Sequence, residues 1–336
     1  MNKITVSAPG KLMLLGEHAV VYGKPCLVTA VNQRMQATVE LTDNEVFQLE
    51  APGVKVTGYK KPMNELGKGE VPKRARFVEM AVRNFLISHP ERAEPFGSEP
   101  QGRRRVEGLK ITTKSQFSSE FGFGSSSAST VCIIKALSEL TKKKLSSKEI
   151  FDLSYKTVLD IQGKGSGFDV AAAIFGGTLY FVTGGKVIQP LNIKSLPLIV
   201  GYSGIKADTV TLINEVSKRA AKFPEIINGI YLSIGHIVEM AKIALLKKDW
   251  QTLGELMNLN QGYLAALGVG SRKLSNMNYA AREAGAYGAK LSGAGVGDCM
   301  IALAPLSKIS TVKKAIEGAG GQIINVKTNV EGIRIE

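Results

Sequence analysis

The chain has little of what many sites and frameworks are built from. Its 336 residues include three cysteines, three histidines and one tryptophan, and aromatic residues make up only 7%. Cys26, Cys132 and Cys299 stand far apart, matching neither a disulfide framework nor a zinc-binding spacing. So few histidines argue against a multi-histidine metal centre. A reduced, cytoplasmic setting is the expectation. No run reaches the roughly 18 consecutive apolar residues of a membrane span. After two residues the N-terminus enters a strand-like segment, which leaves no room for a charged leader with a hydrophobic core. Internal repeats, sustained heptads and low-complexity tails are missing too.

What is present suits a sizeable core: hydrophobic residues make up 44% of a chain long enough for about two domains. Lysine and arginine number 43 against 29 acidic residues, a formal charge of +14. Such an excess draws nucleic acid, anionic surfaces or phosphorylated metabolites alike. Arg103-Arg104-Arg105 lacks the interleaved aromatics of a base-stacking platform, and reads first as solvated charge. Neither a nucleic acid nor a membrane is the expected partner.

Strand-like segments are Ile4–Val6, interrupted by Pro9-Gly10, then Leu12–Leu15, Gln36–Leu41 and Val46–Leu49; Cys26–Val31 fits a helix or a buried strand. Arg74–Leu86 has helical amphipathicity, and the polar His89–Arg105 reads as an exposed excursion. Leu109–Thr113 reads as a strand, Ala128–Leu140 and Ser147–Ile161 as helices, and Thr178–Val182 as a strand. Helices are then expected over Val210–Ala221, Ile230–Lys247, Trp250–Asn258 and Ser275–Ala284. Short strands should follow at Ala289–Leu291, Cys299–Leu303 and Gln322–Val326. The pattern predicts a mixed α+β protein of two domains, 1–190 and 191–336, with the boundary near 185–200.

Three glycine-dense turns carry the chemistry. Gly122-Phe123-Gly124-Ser125-Ser126-Ser127-Ala128 lies between a strand and a helix, where converging amides and a helix N-terminus suit a phosphate. It has neither the P-loop nor the Rossmann spacing. Ser292-Gly293-Ala294-Gly295-Val296-Gly297 is a second such turn; a purely structural β-turn fits it equally well. In Gly163-Lys164-Gly165-Ser166-Gly167-Phe168-Asp169, Asp169 suits a proton acceptor or metal organiser, and Lys164 a phosphate contact. Lys11, after Pro9-Gly10, suits a transferred phosphoryl group, and Glu17 and His18 a polar acid substrate. Each also suits a plainer role: a structural ion pair for Lys11, a helix cap for Glu17, a polar pocket for His18.

On these turns the chain resembles the GHMP small-molecule kinase superfamily, and within it the mevalonate kinases most closely. Pro9-Gly10-Lys11 through Gly16-Glu17-His18-Ala19-Val20-Val21-Tyr22-Gly23 is similar to the family's first motif, Gly122–Ala128 to its phosphate loop and Ser292–Gly297 to its final motif. Met257-Asn258-Leu259-Asn260-Gln261-Gly262 with Leu267-Gly268-Val269 is similar to mevalonate kinases. Gln162–Asp169 and Asp298 look more like phosphomevalonate kinases. Val158 stands where mevalonate kinases usually place a magnesium-binding glutamate.

The resemblance implies a ribosomal-protein-S5-like N-terminal domain and a ferredoxin-like C-terminal domain, with ATP across their interface. It implies Asp169 and Lys11 as catalytic, and Ser126 as the magnesium-contacting hydroxyl. Gly122–Ala128, Gly293 and Gly295 would hold the nucleotide. Glu17, His18, Lys164 and Lys206 would face mevalonate or, in the alternative, phosphomevalonate. A homodimer is compatible with it.

Overall fold

The computed structural model describes residues 2–89 and 106–336; Arg103–Arg105 and most of the His89–Arg105 excursion lie outside the described residues. The first half contributes strands β1 (Lys3–Leu15), β2 (Pro25–Thr42), β3 (Val46–Ala51) and β4 (Val56–Pro62), helix α1 (Arg76–Ser88) and strand β5 (Gly108–Ser115). It continues with α2 (Ser125–Leu140), α3 (Ser147–Gln162), α4 (Phe168–Phe175), β6 (Thr178–Val182) and β7 (Val187–Leu191). The second half runs β8 (Leu198–Tyr202), α5 (Thr209–Lys222), α6 (Pro224–Lys247), α7 (Trp250–Ala266), α8 (Arg272–Glu283), β9 (Gly288–Ser292) and β10 (Cys299–Leu303). It closes with α9 (Ile309–Gly318), β11 (Gln322–Ile324) and β12 (Arg334–Ile335).

The strands form two sheets. In the larger, the order is β12-β1-β2-β5-β3-β4, with β6 joining β2 and β7 joining β6; the smaller runs β11-β8-β10-β9. Among the described residues, only β3 and β5 pair in parallel. Helices α2 and α4 lie on β1 and β2, with α1 and α3 outside them, while α7, α8 and α9 cover the smaller sheet. The chain is thus the expected α+β fold, with the sheets' apolar faces buried under helices. Local chemistry sets the element ends. Ser146 and Glu149 form a reciprocal capping box that starts α3, and Asp208, Asp249 and Ser271 cap α5, α7 and α8 through their side-chain oxygens.

The strands β1, β2 and β12 differ from the sequence expectation. Pro9-Gly10 does not interrupt the first strand: β1 runs through it, and its register against β2 shifts between these two residues. A bulge lets the strand continue past a residue that cannot donate to the ladder. Cys26–Val31 and Gln36–Leu41 are one long strand, whose first part pairs with β6 and whose second part pairs with β5. The last strand, β12, returns to β1. Arg34 secures that return: its buried guanidinium donates to Ser7 Oγ (2.6 Å) and O (2.9 Å) and to the Gly332 carbonyl (2.7 Å).

Among the described residues, α6 alone is long and apolar enough by composition to cross a membrane, and half of its most apolar window is buried in the protein. It packs on α7 and β2, with Tyr231 stacked on Tyr22 at 4.5 Å. This packing covers one face only, and Ile226, Leu232, Met240, Ile243 and Leu246 of the same helix stay exposed. All three cysteines are buried and free, which agrees with a packing role.

Candidate active site

Strand β1 delivers Lys11 beneath the first glycine turn. Its backbone N–H donates to the Phe123 carbonyl (3.0 Å) and its Nζ to the Gly122 carbonyl (2.7 Å), with the ammonium 5.3 Å from the Phe168 ring centre. Gly122 and Gly124 hold φ of 69° and 78°. A Cβ at Gly122 would sit 2.5 Å from Asp298 Oδ2; at Gly124 it would lie 3.4 Å from the Lys11 stem and 3.5 Å from Asp169 Cβ. Lys11 and Asp169 therefore both reach van der Waals range of Gly124, and the positive φ at both glycines is the conformation that favours glycine there.

Helix α2 starts directly after Gly124. Its first amides have no partner within the helix, and its dipole favours an anion there. Ser125 and Ser126 are half-buried. The Ser126 carbonyl is taken by the Ser129 and Thr130 hydroxyls, at 2.9 and 3.0 Å. Ser127 turns the other way and donates to Asp169 Oδ2 at 2.5 Å, while Asp169 Oδ1 accepts from the Val170 N–H at 3.0 Å. Asp169 is thus held on both oxygens and aimed from the first turn of α4. The side chains of Phe123 and Ala128 are buried, Phe123 against Phe117 and Phe121, each at 5.7 Å. Their side chains therefore anchor the loop, leaving its backbone to face a ligand.

The last glycine turn closes on the first motif. His18 Nε2 bonds the Ala294 carbonyl at 2.8 Å, and Ser292 Oγ donates to the Met13 carbonyl at 2.9 Å. Burial pushes the His18 imidazole below its ordinary 6.5, with the Ala294 carbonyl and Glu17 pulling the other way. Gly295 has φ 96°, and a Cβ there would lie 2.2 Å from the Val269 carbonyl; Gly293 faces open space. Glu17 is buried, in contact with Lys290 Nζ and accepting from Asn260 Nδ2 at 3.2 Å.

Lys164 and Lys206 are not drawn into this cluster. Lys164 is exposed and donates to Asn214 Oδ1 at 3.2 Å; Lys206 is exposed too, its charge reaching Asp298. Sequence reasoning missed Lys290, a charged residue inside the fully buried β9. It also gave no role to Asp298, whose Oδ1 accepts from the Ala207 N–H (3.0 Å) and whose Oδ2 occupies the space that a Cβ on Gly122 would need. Burial raises the Asp298 carboxyl above its ordinary value, against the pull of the Ala207 amide, Lys11 and Lys206.

No cluster of three or more His, Cys, Asp or Glu groups suited to a metal occurs among the described residues. Val158 is buried, its Cγ1 3.8 Å from where a Cβ on Gly165 would stand, and offers no side-chain oxygen. The donors at hand are the Asp169 carboxylate and the Ser125 and Ser126 hydroxyls. They fit magnesium, which commonly binds one or two protein oxygens together with nucleotide phosphates and water.

Comparison with known proteins places this geometry in context. Residues 91–177 match the N-terminal domain of GHMP kinases and residues 241–322 their C-terminal region. A mevalonate kinase of Thermococcus gammatolerans is 38% identical over 99% of this chain and 98% of its own length. The crystal structure of L. major mevalonate kinase in complex with R-mevalonate is 26% identical with a TM-score of 0.76, covering 97% of this chain and 95% of its own. A Streptococcus pneumoniae phosphomevalonate kinase, in complex with phosphomevalonate and AMPPNP, has a TM-score of 0.79 at 17% identity, covering 97% and 99%. That last likeness is one of fold alone.

Proposed function

Because the chain belongs to the GHMP kinase family, in its mevalonate kinase branch, we propose that it is an ATP-dependent mevalonate kinase. It phosphorylates the 5-hydroxyl of mevalonate to give 5-phosphomevalonate and ADP in isoprenoid biosynthesis. The convergence of Lys11, Gly122, Gly124 and Asp169 at the start of α2 is the observation that carries the reading.

In this reading the α2 amides, the Gly122–Ala128 backbone and Gly293 and Gly295 hold the triphosphate. The alcohol oxygen attacks the γ-phosphorus in line, the bond from that phosphorus to the β,γ-bridging oxygen breaks, and ADP leaves. Asp169 orients the hydroxyl and receives its proton. Lys11 balances charge on the transferring group, which spreads over its equatorial oxygens. Ser126 would hold magnesium, which when bound neutralises phosphate charge. His18 lines the acceptor end, and Glu17 contributes through the turn it anchors. Fixing both reactants supplies much of the acceleration, since positioned groups avoid the entropy of encounter.

Phosphomevalonate is the second acceptor reading, favoured by Val158 and by the wording of Gln162–Asp169. It requires extra cations around an acceptor phosphate, and Lys164 and Lys206 remain exposed. Incubation with ATP, magnesium and either acceptor, followed by product mass, is expected to show one phosphoryl added to mevalonate. Addition to phosphomevalonate alone would reverse the assignment. Association as a homodimer belongs to the same proposal; a monomeric mass by light scattering at micromolar concentration would refute it.

A further inference from the structure

His18 occupies a backbone conformation that a side-chain-bearing residue rarely holds. Its φ is 59° and its ψ −50°, and the Ala19 N–H donates across it to the Glu17 carbonyl at 2.7 Å. That is a γ-turn of the rare, strained hand. Strain of this kind survives only where the surroundings over-determine it. Two restraints act here, one on each side of the turn. The Glu17 carboxylate is tied to Lys290 in β9 and to Asn260 in α7, while the His18 ring is tied to Ala294, four positions after Lys290. Behind the turn there is no slack: a Cβ on Gly16 would stand 2.6 Å from Cys26 Cβ.

The pair itself is a poor source of stability. Both charges are almost wholly buried, at 0% and 1% side-chain exposure. Burial pushes the Lys290 ammonium below its ordinary value even against the attraction and hydrogen bond of Glu17. Asn260 spends its amide on Glu17, while its Oδ1 has no hydrogen-bond partner among the described residues. Desolvating two charges commonly cancels their attraction, so apolar residues of the same volume would stabilise the fold at least as well. What apolar residues could not do is fix a carboxylate at one defined point of β9.

We propose that Glu17 and Lys290 form a positioning pair: they hold the strained turn at His18 and thereby set the first motif in register with the Ser292–Gly297 turn. Glu17 then acts through His18 and the backbone, not as a ligand of the acceptor. The proposal rests on the kinase reading for its kinetic consequences but not for its structural ones.

Glu17→Gln, Lys290→Met and the double variant test it, each checked for thermal transition and ATP-analogue binding. Both single variants are expected to lose turnover by similar factors, on the order of 10²-fold for a small misplacement of reacting groups. The acceptor KM should stay within about threefold, and the double variant should be no worse than the poorer single, as for residues acting as a unit. An intact K290M enzyme beside an impaired E17Q enzyme, a raised acceptor KM in E17Q alone, or multiplying losses would overturn the proposal. If a single variant fails to fold, the neutral double variant keeps the test open: wild-type turnover from it would overturn the proposal equally.

A second readout needs no catalysis. The chain has three histidines, so the ring nitrogens of His18 can be followed by NMR against His89 and His236. Among the described residues, the charged group acting on His18 is Glu17 of its own turn, which pulls its titration up against burial. Removing the carboxylate from an unmoved ring would drive His18 titration further down. Release of the turn exposes the ring and moves its titration up, which is the expected result for E17Q. A downward or absent shift overturns the proposal. If the wild-type enzyme phosphorylates no mevalonate, the kinase reading fails while this arm still decides the positioning role.

Discussion

Asp169→Asn is expected to lower turnover by about 10²–10⁴-fold, the range for removing a positioned proton acceptor, with nucleotide affinity within about threefold. Asparagine matches aspartate in shape and retains an oxygen for the Ser127 hydroxyl or the Val170 amide, so the start of α4 should keep its geometry. What it loses is the negative charge and the capacity to take a proton. Because the carboxylate sits in the first turn of α4, its neutralisation also removes a favourable dipole contact worth about 0.3–1 kcal/mol. The thermal transition should therefore fall only slightly. Rapid-quench measurement of the transfer step, beside titration with a non-hydrolysable ATP analogue, separates chemistry from binding. Transfer at the wild-type rate in a folded variant would remove Asp169 from the mechanism.

Lys11→Met is expected to cost on the order of 10²–10³-fold in turnover, as for loss of one preorganised donor at developing charge. The methionine stem still fills the space under Gly124 and beside Phe168. It cannot donate to the Gly122 carbonyl, whose bond to an ammonium contributes about 1.5–3 kcal/mol. Some of the loss will therefore appear as loosening of the phosphate turn and weaker nucleotide binding. Arginine should not rescue: a larger, planar guanidinium does not reproduce the single donor that the Lys11 ammonium places 2.7 Å from the Gly122 carbonyl. Turnover, nucleotide affinity and thermal transition measured on K11M and K11R check both statements. Unchanged turnover in K11M would exclude a role in transfer.

Much of the scaffold was legible because it rests on local patterns. The alternation in Val46–Leu49 became β3, and the apolar periodicity of Ser147–Ile161 became α3. The first strand misled because Pro9 is a reliable breaker only where its missing donor is needed, and the bulge removes that need. β12 was invisible: a two-residue strand has no period, and its partner is at the other end of the chain. At the site, the glycine turns were readable because positive φ demands glycine. Phe123 was drawn into the nucleotide set by its neighbours, although its own apolar character pointed to the core where it lies. Lys164 and Lys206 were chosen by charge, and charge alone does not say which way a long side chain turns. Lys290 did leave a signal, a single cation within an apolar strand, but its partner Glu17 is 273 positions away and only the fold identifies it.

The return of β12 to β1 has a consequence for how the molecule is made. The strand that carries Lys11 has one neighbour from the outset, β2, but its outer edge is covered by residues translated near the other end, with Ser7 and Glu336 separated by 329 positions. During synthesis that edge stays open while both sheets and all the helices between are laid down, and open edges invite pairing with other chains. Arg34 is buried beneath it and donates to Gly332 only after the ribosome has passed that point. The strand that bears Lys11 is therefore among the last parts of the larger sheet to be sealed.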